Sequence, residues 1–231
     1  MEHRRLLFGI ATGLLAISVL GGAWVGAGWI WDAANALGFA AAASMIFLHI
    51  ETGAARKRPA RVAAFHARLH SSIALLTLIM VVAHVLALLA DDAVTIEYWK
   101  PSAPPYMLAG IGALLLLAAI VASSYPRPRR WLFANPAQFR RTHGFASILL
   151  TALVAWHIAG SALYLDTRFK QALFVMILVG IPLWLIRRPD LQRPSVETQP
   201  REPAEARRET LYIGAIALAM AVAFSALRNL L

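Results

Sequence analysis

Seven histidines, at positions 3, 49, 66, 70, 84, 143 and 157, hold most of the chemical scope of this 231-residue chain, because cysteine is absent. Without thiols there are no disulfides, thiolate metal sites, iron–sulfur clusters or cysteine nucleophiles, and metal chemistry rests on His, Met or carboxylates. Four of the histidines belong to a repeat. Arg68, His70, Leu76, Val81 and His84 recur at one fixed offset as Arg141, His143, Leu149, Val154 and His157. Thirteen residues separate the two histidines in each copy. On a helix a step of fourteen is close to four whole turns, so both histidines of a copy share one face, about 21 Å apart along the axis. Two such helices side by side would present imidazole pairs at two levels, which is the chemistry of axial metal ligation. No nucleophile triad, paired carboxylates or phosphate-binding loop is present, so hydrolysis and phosphoryl transfer have no support.

The elements that must carry these residues are membrane helices. Hydrophobic residues make up 59% of the chain and charged residues 15%, with a mean hydropathy of +0.62, far from a soluble composition of about 25% charged residues. The net charge of +10 comes from 22 Lys and Arg against 12 Asp and Glu. A nucleic-acid binder would need that charge on a solvated face of a folded domain, and the long apolar runs leave little room for one. A spanning helix takes about 20 mostly apolar residues, because lipid offers the backbone no hydrogen-bond partner. Seven stretches qualify: 6–30, 33–50, 61–90, 106–124, 140–165, 171–186 and 210–227. The first follows Arg4 and Arg5 like a signal peptide, but its apolar core exceeds the usual 7–15 residues. The sixth carries Pro182. The expected fold is all-α, a polytopic bundle: a six-helix core over 1–187, a linker over 188–209 rich in Pro, Arg and Glu, and an additional membrane helix over 210–231.

Basic residues alternate between the connecting segments. Arg4 and Arg5, then Arg56, Lys57, Arg58 and Arg61, then Arg127, Arg129, Arg130, Arg140 and Arg141, then Arg187, Arg188, Arg193, Arg201, Arg207 and Arg208 fall on one side. The other side has Trp31 and Asp32, 91–105 with Lys100 alone, 166–170, and Arg228 in the tail. The positive-inside rule puts the N-terminus in the cytoplasm and, with seven spans, the C-terminus outside a bacterial inner membrane.

In that orientation the third and fifth helices are parallel, so His70 meets His143 near the cytoplasmic face and His84 meets His157 toward the outside. Facing imidazoles in a helix bundle suit a low-spin b-type haem, whose iron accepts nitrogen on both faces. Gly144 and Gly160 offer small-residue surface, and the Arg68 and Arg141 guanidinium groups stand where inner propionates would need cations. Polar groups in membrane helices also serve plain packing, but two equally spaced pairs on one face fit ligation better. Zinc wants four ligands where each level offers two. His66 shares a face with His70 as an alternative inner ligand, yet its counterpart is Phe139, which ligates nothing. His49, beside Glu51, reads as an interfacial residue or as a hydrogen-bond partner of a propionate or quinone.

At these residues the sequence resembles the ferric reductase-like transmembrane domain, the haem-bearing core shared by ferric reductases, NADPH oxidases and the membrane subunit of a periplasmic methionine sulfoxide reductase system. The features that carry the resemblance are the two His, thirteen residues, His pairs, the basic segments 61–68 and 127–141, and the Leu37-Gly38 opening of the second helix; it extends over about 33–187. The resemblance implies two haem b groups and electron transfer from a cytoplasmic donor through the inner and outer haems to an acceptor such as ferric iron, oxygen or a periplasmic reductase. Full reductases carry a flavin and nicotinamide domain after the sixth helix. Here a linker and an apolar helix follow, without a glycine-rich dinucleotide loop. The donor is therefore expected to be a separate flavin reductase or a quinol, bringing its own flavin or quinone, and the chain an oxidoreductase-type subunit.

Trp156 would lie between the haems or over the outer one, or serve as an interfacial or packing tryptophan. Tyr98, Trp99, Lys100, Tyr164 and Arg168 are candidates for the acceptor surface or for the aromatic belt. Two rival readings stand beside this one. One is a transporter or scaffold whose histidines relay protons, although every acidic residue falls near an interface or in a loop. The other is a quinol-oxidising cytochrome b subunit of a larger complex.

Overall fold

A computed structural model describes residues 9, 10, 13, 28–54, 60–180, 182, 183 and 203–230, and every regular element among them is helical. In chain order these are α1 (Trp29–Ala54), α2 (Ala60–Asp91), a 3₁₀ turn (Ala93–Trp99), α3 (Pro105–Ser124), α4 (Pro126–Leu132), α5 (Pro136–Ser161), α6 (Arg168–Val175), a π turn (Met176–Gly180) and α7 (Pro203–Leu230). Among the described residues five helices are long and apolar enough to cross a membrane, within α1, α2, α3, α5 and α7. The chain is thus a multi-pass membrane protein whose outer faces contact lipid.

Seven spans were expected. Most of the first, 6–30, lies outside the described residues, as do Arg4, Arg5, 55–59 and 184–202. The sixth is represented by α6 and the π turn, too short to span by themselves. Pro182 lacks an N–H to give the carbonyl four residues back and its ring crowds that carbonyl, and the wider turn just before it is the local response.

Element ends are set by capping groups that the hydropathy pattern does not register. The Asn135 side chain accepts hydrogen bonds from the Ala137 and Gln138 amides at 3.0 and 2.9 Å. With Pro136 in the first turn, this starts α5 four residues before the expected 140. Ala162, in the left-handed region at φ 53°, ends it four residues before the expected 165. The start of α7 at Pro203 makes 203–209 helical, so the expected linker 188–209 is shorter by those residues. Trp29 begins α1 ahead of the expected 33, which carries Asp32 out of a connecting segment and into the first helical turn.

The central helix is α1, 67% buried along its spanning window where the others are 17–28% buried. Its run Ala40, Ala41, Ala42, Ala43 and Ser44 lets neighbouring backbones come close, which is how membrane helices gain packing without a hydrophobic driving force. It packs against α2 and α7, and α7 also packs on α2. A second unit is formed by α3 on α5, joined to the first through α2 and α3. The backbones of α2 and α5, the two histidine-bearing helices, barely approach each other. Phe39, Phe47, Phe65, Phe174 and Phe224 fill the main core around α1.

Candidate functional site

The space left between the two units is an apolar cavity lined by α1, α2, α3 and α5, and the imidazoles of His84 and His157 both face it. Each ring is held in the same way. His84 Nδ1 is 2.8 Å from the Ala34 carbonyl oxygen, and His157 Nδ1 is 3.0 Å from that of Tyr106. A carbonyl only accepts, so Nδ1 carries the proton in both rings and Nε2 keeps its lone pair. That arrangement orients an imidazole for metal binding and raises its basicity as a ligand.

Two glycines make this geometry possible. A Cβ on Gly38 would lie 3.4 Å from His84 Nδ1, and one on Gly110 would lie 2.6 Å from His157 Nδ1. A helical side chain covers the turn N-terminal to its own Cα, so glycine four residues after Ala34 or Tyr106 bares the carbonyl the histidine needs. Gly38 stands in the Leu37-Gly38 opening that carries the resemblance, but Gly110 has no place in the histidine repeat, and a different offset reveals it. The offset of 72 residues that links Ala34 to Tyr106 also links Gly38 to Gly110, one fewer than the 73 between the histidines. The glycines expected to make room were others. A Cβ on Gly144 would meet nothing within 4 Å, and Gly160 receives Tyr106 instead.

At the other level the ring centroids of His70 and His143 are 6.1 Å apart, with the planes tilted by 52°. His70 with His143, and His84 with His157, thus come together as the repeat requires, so α2 and α5 run in the same direction. Phe139 packs against His143 at 5.2 Å and receives the Arg129 guanidinium at 4.3 Å on its ring. His143 Nδ1 is buried without a hydrogen-bond partner among the described residues, and so is Nε2 of His49, whose Nδ1 bonds its own helix at the Met45 carbonyl, 2.8 Å away. His66 is fully buried against Phe65. Arg68 and Arg141 are exposed. His3 lies outside the described residues.

Of the residues expected at the acceptor surface, Tyr98, Trp99 and Tyr164 line one end of the cavity. Trp31 also lines it, with its indole N–H buried and unpartnered among the described residues. Lys100 pairs with Glu97, and Arg168 is exposed. Trp156 is 54% exposed and outside the cavity wall. Neighbouring positions on a helix point about 100° apart, so turning His157 inward turns Trp156 outward. Among the described residues no three His, Cys, Asp or Glu side chains converge on one point. The donor set is therefore a nitrogen pair at each level, which fits a metal that brings its own equatorial ligands, as haem iron does.

A family model of the ferric reductase like transmembrane component matches residues 37–154, just over half of the chain. The chain belongs to this family. Members of the ferric reductase-like family are generally haem-binding, and the domain's work is membrane electron transfer. The matched stretch is narrower than the expected 33–187; it contains His49, His66, His70, His84 and His143 and stops three residues before His157. No curated protein and no solved structure matches the chain.

Proposed function

We propose that this ferric reductase-like protein is a di-haem b-type cytochrome that carries electrons across a bacterial inner membrane. His70 and His143 would hold the inner haem and His84 and His157 the outer one, and Arg68 and Arg141 would pair with the inner propionates. The observation that carries the proposal is the outer pair: two imidazoles from separate helices share one apolar cavity, each with Nδ1 tied to a backbone carbonyl over a glycine. Bound haem supplies reversible one-electron chemistry at its iron. The chain's part is to fix the ligand nitrogens, to keep water from the apolar wall, and to hold two sites at different depths in about 30 Å of hydrocarbon.

Electrons enter from a separate cytoplasmic donor, a flavoprotein or a quinol, and leave to an extracytoplasmic acceptor such as ferric iron, oxygen or a periplasmic reductase. The charge pattern supports a cytoplasmic N-terminus and an outside C-terminus. Residues through 187 form the haem-bearing bundle, with α7 added after the linker.

Proteoliposomes with ferricyanide trapped inside and a membrane-impermeant reductant outside test the proposal. Wild-type protein is expected to bleach the trapped dye, and His84→Ala to stop it. Equal bleaching in both, above protein-free vesicles, would refute transfer through the outer pair.

A further inference from the structure

The last turns of α7 reach across to the first turn of α1. Ser225 Oγ donates to the Trp29 carbonyl at 2.7 Å, and Asn229 Nδ2 donates to Asp32 Oδ2 at 2.9 Å. Arg228 Nε lies 3.4 Å from Asp32 Oδ1. The Tyr164 hydroxyl, from the segment after α5, donates to that same Oδ1 at 2.7 Å. The Arg228 guanidinium also lies over the Tyr164 ring, 5.1 Å from its centroid.

Asp32 is 0% exposed, the one fully buried carboxylate among the described residues. A carboxylate in such a place is costly unless paired and hydrogen-bonded, so these contacts hold three elements to one point. That point adjoins the outer imidazoles. Ala34, whose carbonyl fixes His84, follows Asp32 by two residues, and Gly38 lies one turn further along α1. Tyr164 itself lines the cavity.

We infer that Asp32, Tyr164, Arg228 and Asn229 are positioning residues for the outer imidazole pair. The end of α7 clamps the first turns of α1, and through them the Ala34 carbonyl and Gly38 that orient His84. All four lie outside the matched residues 37–154, so the clamp is an addition to the part of the fold that carries the family match. This gives α7 a role in the site, and it rests on the outer pair binding haem.

The test is a redox titration, haem-to-protein ratio and low-spin paramagnetic resonance spectrum of the purified full chain, with the outer component defined as the one lost in His84→Ala. Arg228→Gln removes the guanidinium from beside the buried Asp32 carboxylate, and Asp32→Asn removes the carboxylate charge from beside Arg228. Each is expected to weaken outer haem retention by about 10- to 100-fold, the usual effect of losing a ligand's supporting shell, and to alter the outer component's potential or spectrum. The inner component should stay as in wild type. The double variant Asp32→Asn/Arg228→Gln, with neither charge, should recover most of the loss. If the single variants do not accumulate, the double variant and Asn229→Ala decide. An outer component unchanged in occupancy, potential and spectrum in the variants that can be purified would overturn the clamp, as would equal loss at both levels. Wild-type protein without haem would instead refute the reading on which the clamp rests.

Discussion

At the scale of single residues, the placement of the His84 and His157 imidazoles depends on how little space surrounds each ring. A Cβ at position 110 would sit 2.6 Å from His157 Nδ1, nearer than atoms tolerate, whereas one at 38 would sit 3.4 Å from His84 Nδ1. Gly110→Ala should therefore displace the His157 ring and remove the outer haem while leaving the inner one. Gly38→Ala should cost less, and a haem-to-protein ratio on each purified variant checks the order. The four histidines were legible in the sequence because they repeat. Asp32 was not, since an acid beside the expected end of a span looks like part of a loop, and two of its partners stand almost the whole chain away at 228 and 229. Tyr164 gives a pH prediction. Burial, then the hydrogen bond and charge of Asp32, hold its phenol well above the ordinary value of 10.0. A raised folded-state value means the contribution is full below the ordinary phenol pKa and is lost as pH climbs past it, where the unfolded phenol ionises freely. Melting temperatures should thus fall more steeply between about pH 9 and 11 in wild type than in Tyr164→Phe. Parallel curves would show that the phenol is not held.

At the scale of elements, hydropathy located α2, α3 and the bodies of α5 and α7, because a membrane helix must be apolar for its whole length. It could not locate their ends, which are set by single side chains such as Asn135. Replacing that cap, Asn135→Ala, should lower stability by about 1 kcal/mol and leave haem content intact; a melting curve in detergent reads it. The direction of the helices is also testable, because the chain has no cysteine of its own. Ser102→Cys, beyond the 3₁₀ turn, should react with an impermeant maleimide added to intact cells, while Ala134→Cys, beside the basic helix α4, should react after lysis alone. The opposite labelling pattern would reverse the orientation and with it the assignment of inner and outer.

At the scale of the whole molecule, two packed units face each other across a cavity, and the histidine helices stand on opposite sides of it. The sequence implied that α2 and α5 are parallel, but not that α1 is the central helix or that α7 closes the bundle at one end. Those follow from small residues along α1 and from a buried carboxylate, and both depend on partners that no local pattern names. The arrangement makes sense if each imidazole pair holds its own cofactor. A pyridine haemochrome assay with a reduced-minus-oxidised absorption spectrum on detergent-purified protein measures that number. Two b haems per chain are expected, falling to one in each of His70→Ala, His84→Ala, His143→Ala and His157→Ala and staying at two in His66→Ala and His3→Ala. No haem after expression with ample haem supply, or two haems retained in all four ligand variants, would contradict the assignment.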